Sequence, residues 1–173
     1  MTFSFEENLN DLLTAFSENL ELARETVHAL CESPIEKRFA DAILTCNTAL
    51  ECRIPVVIRP NEPFLEGPHF QIAPQRPIKN FRADFALVFG SSDERTTSRL
   101  VVECDGHDFH EKTKAQAARD KMRDRFLIAQ GWPVMRFTGS EIHKDPSKCA
   151  DEAAGYLFDE WAKLCIMLHR GQQ

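Results

Sequence analysis

Long hydrophobic runs are missing from this chain. The longest apolar stretches are a few residues, far below the roughly 18 needed to cross a bilayer, and the N-terminus has no basic segment followed by a hydrophobic one. Neither a membrane span nor an export signal is expected, so the chain reads as soluble and cytoplasmic. Paired cysteines are missing as well. Cys31, Cys46, Cys52, Cys104, Cys149 and Cys165 form no CxxC pair, and several fall inside apolar periodic segments. That usage is expected of reduced, mostly buried thiols, and it argues against a disulfide framework or a cysteine zinc site. No GxxxxGK loop is present, which argues against nucleotide-driven work, and no GxSxG elbow. Internal repeats and long linkers are absent too. At 173 residues the chain suits one α/β domain with a proper core and is too short for two comfortable ones.

Excess positive charge is the last absence. A net charge of -6 argues at first against a nucleic-acid partner, because such proteins neutralise phosphates with Lys and Arg. The distribution reverses that impression. Met1 to Glu36 carries eight acids and one base, whereas Lys37 onward carries 20 bases and 19 acids. Lys112, Lys114, Arg119, Lys121, Arg123 and Arg125 cluster there, as a phosphate guide or as a solvated helix face with Asp120 and Asp124 as partners.

What is present is a run of apolar periodicities. Leu9, Leu12, Phe16, Leu20, Val27 and Leu30 recur at three- and four-residue steps, one face of a helix that is acidic elsewhere. Such a helix covers the core or pairs with a second copy of itself. Ser33-Pro34-Ile35-Glu36 is a helix-start signature, and the helix is expected to run to about Thr45. Glu36 therefore has a capping role available. Ile54 to Ile58, Phe70 to Ile78, Phe81 to Phe89 and the run through Val101 to Glu103 read as an antiparallel meander. Thr113 to Gln130 reads as a helix closed by Gly131, and Trp132 to Phe137 as a strand parallel to the one before it. A last helix is expected over Ser147 to His169, burying Tyr156, Leu157, Trp161, Leu164 and Leu168.

Chemistry concentrates where an apolar strand stops, at Val101-Val102-Glu103-Cys104-Asp105-Gly106-His107-Asp108-Phe109-His110. Alternate side chains of a strand share a face, so Glu103 and Asp105 point together and Cys104 points away. If the polar loop from Gly90 to Ser98 folds symmetrically about Asp93 and Glu94, Asp84 falls opposite Glu103. Three carboxylates crowded at one hairpin end raise one another's pKa and call for a cation such as Mg²⁺ or Mn²⁺.

Ser-Pro-Ile-Glu-Lys-Arg-Phe (33 to 39), Arg-Ala-Asp-Phe-Ala (82 to 86), Glu-Cys-Asp-Gly-His-Asp-Phe-His (103 to 110), Arg-Asp-Lys-Met-Arg-Asp-Arg (119 to 125) and Gly-Trp-Pro-Val-Met-Arg-Phe-Thr-Gly-Ser-Glu-Ile (131 to 142) follow one another in order. Together they resemble the PD-(D/E)xK nuclease superfamily, and within it the domains related to very-short-patch mismatch-repair nucleases, over about residues 33 to 160. The resemblance implies a restriction-endonuclease-like α/β core, a mixed sheet flanked by helices. An extra N-terminal helix over 1–32 would precede a nuclease domain over 33–173. It implies a metal-dependent endonuclease, acting on DNA in the first instance, with Mg²⁺ or Mn²⁺ on Asp84 and Glu103. It also implies roles for Glu36, as a further acid, and for Gln75, on the strand before the aspartate.

One departure matters. The motif's lysine, two residues after the glutamate, is Asp105 here. In the branch resembled, an aspartate there followed shortly by histidine is usual, which makes His110 the candidate to assist water or the leaving group. Lys112, Lys114 and Lys121 are the alternatives that could swing in from the helix. Asp105 is expected to touch metal, His107 to be a surface turn residue, Arg136 to pair with an acid, and Trp132 and Phe137 to be core. Lys112, Lys114, Arg119, Lys121 and Arg123 are the expected nucleic-acid contacts, and the N-terminal helix a possible homodimer contact. Two other classes stay open: a non-catalytic module that binds nucleic acid or protein, and a hydrolase using a transition metal on Glu103, Asp105, His107 and His110.

Overall fold

The apolar stripe of the N-terminal segment is longer than the surface it covers. The structure, a computed structural model, describes residues 5–46, 54–67, 69–90, 96–106 and 114–171, without the side chains of residues 5–10 and 114–117. Helix α1 (Phe5–Leu30) lays Leu20, Ala23 and Val27 against the core, whereas Leu12, Leu13 and Phe16 stay exposed. Arg24 and His28 tie it to the next helix by bonding the same Asp41 oxygen at 2.9 and 2.8 Å.

That next helix, α2 (Pro34–Thr45), starts where the sequence says it should. Ser33 is its N-cap, accepting the Glu36 N–H at 3.2 Å, and Pro34 occupies the first turn, where no N–H is required. Its inner face carries Phe39, Ala40 and Ile43, all fully buried.

Five strands follow: β1 (Val56–Val57), β2 (His69–Ile78), β3 (Phe81–Gly90), β4 (Thr97–Asp105) and, after a helix, β5 (Val134–Thr138). They lie in sequence order across one mixed sheet. The expected antiparallel meander holds for β2, β3 and β4 only. The strand expected over 54–58 shrinks to two residues and runs parallel to β2. Pro55 and Pro60 flank it, and a proline offers no N–H to a ladder. Periodicity also carries no information on strand direction. Between β4 and β5, α3 (Lys114–Ala129) makes the crossover that parallel pairing needs, as expected. It ends at Gly131, whose φ of +77° lets the Trp132 and Gly131 N–H groups turn back to the Leu127 and Ile128 carbonyls at 2.9 Å each.

A short helix not anticipated from the sequence comes next, α4 (Gly139–Lys144). Thr138 and Glu141 cap it reciprocally, each side chain bonding the other's backbone N–H. Then α5 (Pro146–Gly171) crosses the same sheet face as α2. Ala150, Ala153, Ala154 and Leu157, all fully buried, let it lie close to the strands.

Strand alternation divides the sheet. Phe85, Leu87, Leu100, Val102 and Cys104 face α2 and α5, with Phe39 at the centre, 5.2 Å from the Phe85 ring and 5.9 Å from Phe137. Val101 faces the other way, where Leu127 of α3 covers it together with Ile78 and Ala83. Among the described side chains of α3 only Leu127 is fully buried, and Met122 and Ile128 are more than half exposed. Trp132 is half-buried against Phe64.

The result is the α/β architecture expected of a restriction-endonuclease-like core, a five-stranded mixed sheet flanked by helices. Cys31, Cys104, Cys149 and Cys165 are free thiols. Cys104 and Cys149 are buried, but Cys31, Cys46 and Cys165 keep some exposure, the first two just past the ends of α1 and α2 and the third on α5. Among the described residues no helix is long and apolar enough to cross a membrane.

Candidate active site

The hairpin of β3 and β4 pairs Phe85 with Val102 and Ala86 with Val101, so the same register brings Asp84 level with Glu103. The backbone ladder stops there, and the Asp84 carboxylate takes over by accepting the Cys104 N–H at 2.8 Å. Burial raises the pKa of Asp84 above the usual carboxylate value. The Cys104 N–H opposes this, the Glu36 charge adds to it and Arg123 opposes it. Glu103 is only 4% exposed. Burial first, and the Asp84 charge second, push its carboxyl up to about 7, against the pull of Arg123 and Arg136. Two carboxylates on adjoining strands are thus held in a place that disfavours their charge.

On the next strand, Gln75 sits opposite Asp84 but does not pair with it; the ladder is made by Pro74 with Phe85 and Arg76 with Ala83. Its φ of +49° is a left-handed conformation that non-glycine residues seldom adopt. This turn of the backbone accompanies a bond inward, from Gln75 Nε2 to Glu36 Oε2 at 2.8 Å. Glu36 also accepts the Glu32 N–H at 2.8 Å and the Ser33 hydroxyl at 2.7 Å. It therefore both braces the Ser33 cap of α2 and neighbours Asp84.

Two arginines meet the acids of β4. Arg123, on α3, donates from Nη2 to Glu103 Oε1 at 2.6 Å and to the Arg82 carbonyl. Arg136 of β5, aligned with Glu103 in the parallel ladder, bonds Asp124 at 2.6 Å and reaches Asp105 Oδ1 at 3.5 Å. Arg136 thus pairs with acids, as expected from the sequence.

The structure brings Asp84, Glu103 and Asp105 to one end of the sheet, with Glu36 and Gln75 joined behind them. It does not draw in Arg119 and Lys121, which are exposed on α3. His107, His110 and Lys112 lie outside the described residues, as does the side chain of Lys114. Arg123, which the sequence offered only as a phosphate guide, is turned onto the carboxylate of Glu103. The available signal was its position one turn before Leu127, on the same helix face.

Among the described residues no three His, Cys, Asp or Glu groups form a cage for a metal ion. The donors do fit a hard cation that keeps some of its waters. All are oxygens, and Asp105 Oδ2 and Gln75 Oε1 are buried without any hydrogen-bond partner. An ion of the Mg²⁺ kind is commonly held by one or two carboxylates, with water and phosphate completing its shell. A soft or imidazole-rich set is not formed by these residues.

The model of REase_MTES_1575, a restriction-endonuclease-like family, matches residues 63–156, more than half of the chain. The chain belongs to that family. The matched part of this restriction-endonuclease-like chain holds Gln75, Asp84, Glu103, Asp105, Arg123 and Arg136 and stops short of α1 and α2 with Glu36. Membership of the family points to a nuclease and to nucleic acid as what it binds. No curated protein and no solved structure matches the chain.

Proposed function

We propose that the protein is a metal-dependent endonuclease of the PD-(D/E)xK type, of the branch related to very-short-patch mismatch-repair nucleases, hydrolysing phosphodiester bonds of DNA. The observation that carries this reading is the pairing of Asp84 with Glu103 at the end of β3 and β4, buried enough to push Glu103 up to about 7. Burying two adjacent acids is costly unless a cation or a proton relieves them, and nuclease membership supplies the reason for a cation.

Asp84 and Glu103 would hold Mg²⁺ or Mn²⁺, with Asp105 contributing a third oxygen. Bound there, the ion supplies Lewis acidity to the phosphate and lowers the pKa of a coordinated water. The Cys104 N–H fixes the Asp84 carboxylate, and the bond from Gln75 fixes Glu36 behind it. His110, five residues beyond Asp105, is the proposed group that takes the proton of the attacking water. Arg119 and Lys121, exposed on α3, and Lys112 and Lys114 earlier in the chain would track the nucleic-acid backbone.

The test is a cleavage panel over duplex and single-stranded DNA and RNA with Mg²⁺, Mn²⁺ and Ca²⁺, using wild type, Asp84→Ala and Glu103→Ala. Mg²⁺- or Mn²⁺-dependent cutting of DNA that both variants lose is expected. Cutting by pure Asp84→Ala protein at the wild-type rate would sink the assignment. One observation favours a second reading, a module that binds nucleic acid without cutting: Glu103 and Asp105 already have arginine partners. Binding without cleavage under every metal would identify that case.

A further inference from the structure

The superfamily lysine is missing from β4, and Asp105 stands in its position. Within this site, read as a nuclease centre as above, we propose that Arg123 is the catalytic cation, its guanidinium touching a non-bridging oxygen of the scissile phosphate from α3.

Four observations lead there. Arg123 Nη2 has its two N–H groups engaged, by Glu103 Oε1 at 2.6 Å and by the Arg82 carbonyl at 2.5 Å. The rest of the fork is idle. Nε is buried with no hydrogen-bond partner, and among the described residues Nη1 has no acceptor. A buried N–H without an acceptor is unfavourable, and an arginine present only to neutralise Glu103 would be expected to close both prongs of its fork on the carboxylate. The side chain is nevertheless 21% exposed, so a ligand can reach it.

Second, the guanidinium is braced. The Arg82 carbonyl holds one nitrogen, and the Phe81 ring lies 5.9 Å below the guanidinium carbon. Third, the other cations described near the site are placed for other work. Arg136 is committed to Asp124 at 2.6 Å and to Asp105, and Arg119 and Lys121 face solvent. Fourth, contact with Glu103 places the charge beside the carboxylate that would hold the metal, where negative charge on a phosphate must collect.

The chemistry assigned to Arg123 is limited to charge. Water oxygen bonds to phosphorus and releases a proton to solvent water, the opposite P–O bond breaks, its electron pair goes to the leaving oxygen, and that oxygen takes a proton from solvent water. Arg123 stays protonated throughout, since guanidinium does not release its proton in proteins. It therefore replaces the electrostatic half of a lysine's work and leaves the proton to another group. Oriented donors of this kind act most strongly on the step where charge develops.

The test uses the full chain as wild type, Arg123→Met and Arg123→Lys. It measures steady-state cleavage of a short duplex with Mn²⁺, Mn²⁺ affinity by calorimetry, and melting temperature. Arg123→Met should lower kcat by roughly 10²- to 10³-fold. KM at saturating Mn²⁺ should stay within about threefold of wild type, whereas Mn²⁺ affinity shifts because Glu103 loses its partner. Arg123→Lys should retain more activity than Arg123→Met, and added guanidinium ion at millimolar, non-denaturing concentration should partly restore kcat to Arg123→Met alone. Wild-type kcat in Arg123→Met, an effect confined to KM or to metal affinity, or equal losses in Met and Lys variants without guanidinium rescue, would each overturn the proposal. If Arg123→Met melts below the assay temperature, Arg123→Gln, which keeps donors for Glu103 and Arg82, takes its place under the same criteria. A wild-type protein that cuts nothing overturns the nuclease reading and this assignment with it. Cutting by wild type with Arg123→Met unimpaired overturns this assignment alone.

Discussion

Gln75 donates its amide N–H to the carboxylate of Glu36 across 2.8 Å, joining the start of α2 to the one position of β2 where the backbone turns left-handed. Glu36 is buried and holds two further bonds from Glu32 and Ser33, so the first turn of α2 and the bend of β2 depend on one carboxylate.

Glu36→Ala should therefore destabilise more than loss of an ordinary cap. A cap is worth about 1 kcal/mol, and a buried amide left without its acceptor costs about 1–3 kcal/mol more. A loss of roughly 2–4 kcal/mol in urea denaturation is expected on that basis. A change under about 0.5 kcal/mol would show that the bonds at Glu36 contribute little.

Stability should depend on pH through Glu103. Its carboxyl is raised from 4.5 to about 7 in the folded protein, by burial first and Asp84 second. The folded state thus binds the proton more tightly than the unfolded state. The stabilisation is complete below the unfolded pKa and is lost as pH rises through the folded one. Between pH 4.5 and 7 this group lowers metal-free stability by an amount on the order of 3 kcal/mol. Glu103→Gln removes the titration, so the stability difference between wild type and variant, measured in urea at intervals over that range, should slope against wild type as pH rises. A flat difference would show that Glu103 titrates normally.

Arg136 offers a coupling experiment. It bonds Asp124 at 2.6 Å and approaches Asp105 at 3.5 Å with a side chain only 25% exposed. Removing it strands partly buried acids, so Arg136→Leu is expected to cost about 2–4 kcal/mol. Asp124→Asn in the Arg136→Leu background should cost less than in wild type, by about 1 kcal/mol in a double-mutant cycle. Additive losses would mean that the two side chains do not stabilise one another.

Much of this was legible in the chain because it follows from local rules. The Ser33 cap, the Gly131 stop and the crossover through α3 each rest on a few neighbouring residues. The placement of Asp84 beside Glu103 came from the symmetry of a hairpin about Asp93 and Glu94, and the pairing of Phe85 with Val102 has that register. The helix α4 had a signature too, Thr138 and Glu141 at capping-box spacing, but its apolar content is too small to draw the eye. The direction of β1 was not legible, since alternation is the same for parallel and antiparallel strands. Nor was the left-handed backbone at Gln75, where the residue gives no hint that a glycine would. The inward turn of Arg123 was obscured because, among its described side chains, α3 buries only Leu127 fully, leaving its facing side poorly marked.

The bond that fixes Asp84 comes from a peptide N–H, that of Cys104. Position 104 can therefore change its side chain without touching that bond, provided the replacement is apolar, of similar volume, and not proline. A valine or alanine there would make room for thiol-specific probes elsewhere on the protein while the carboxylate keeps its anchor. The chain has latitude to drift at a position flanked on both sides by the acids on which its proposed chemistry depends.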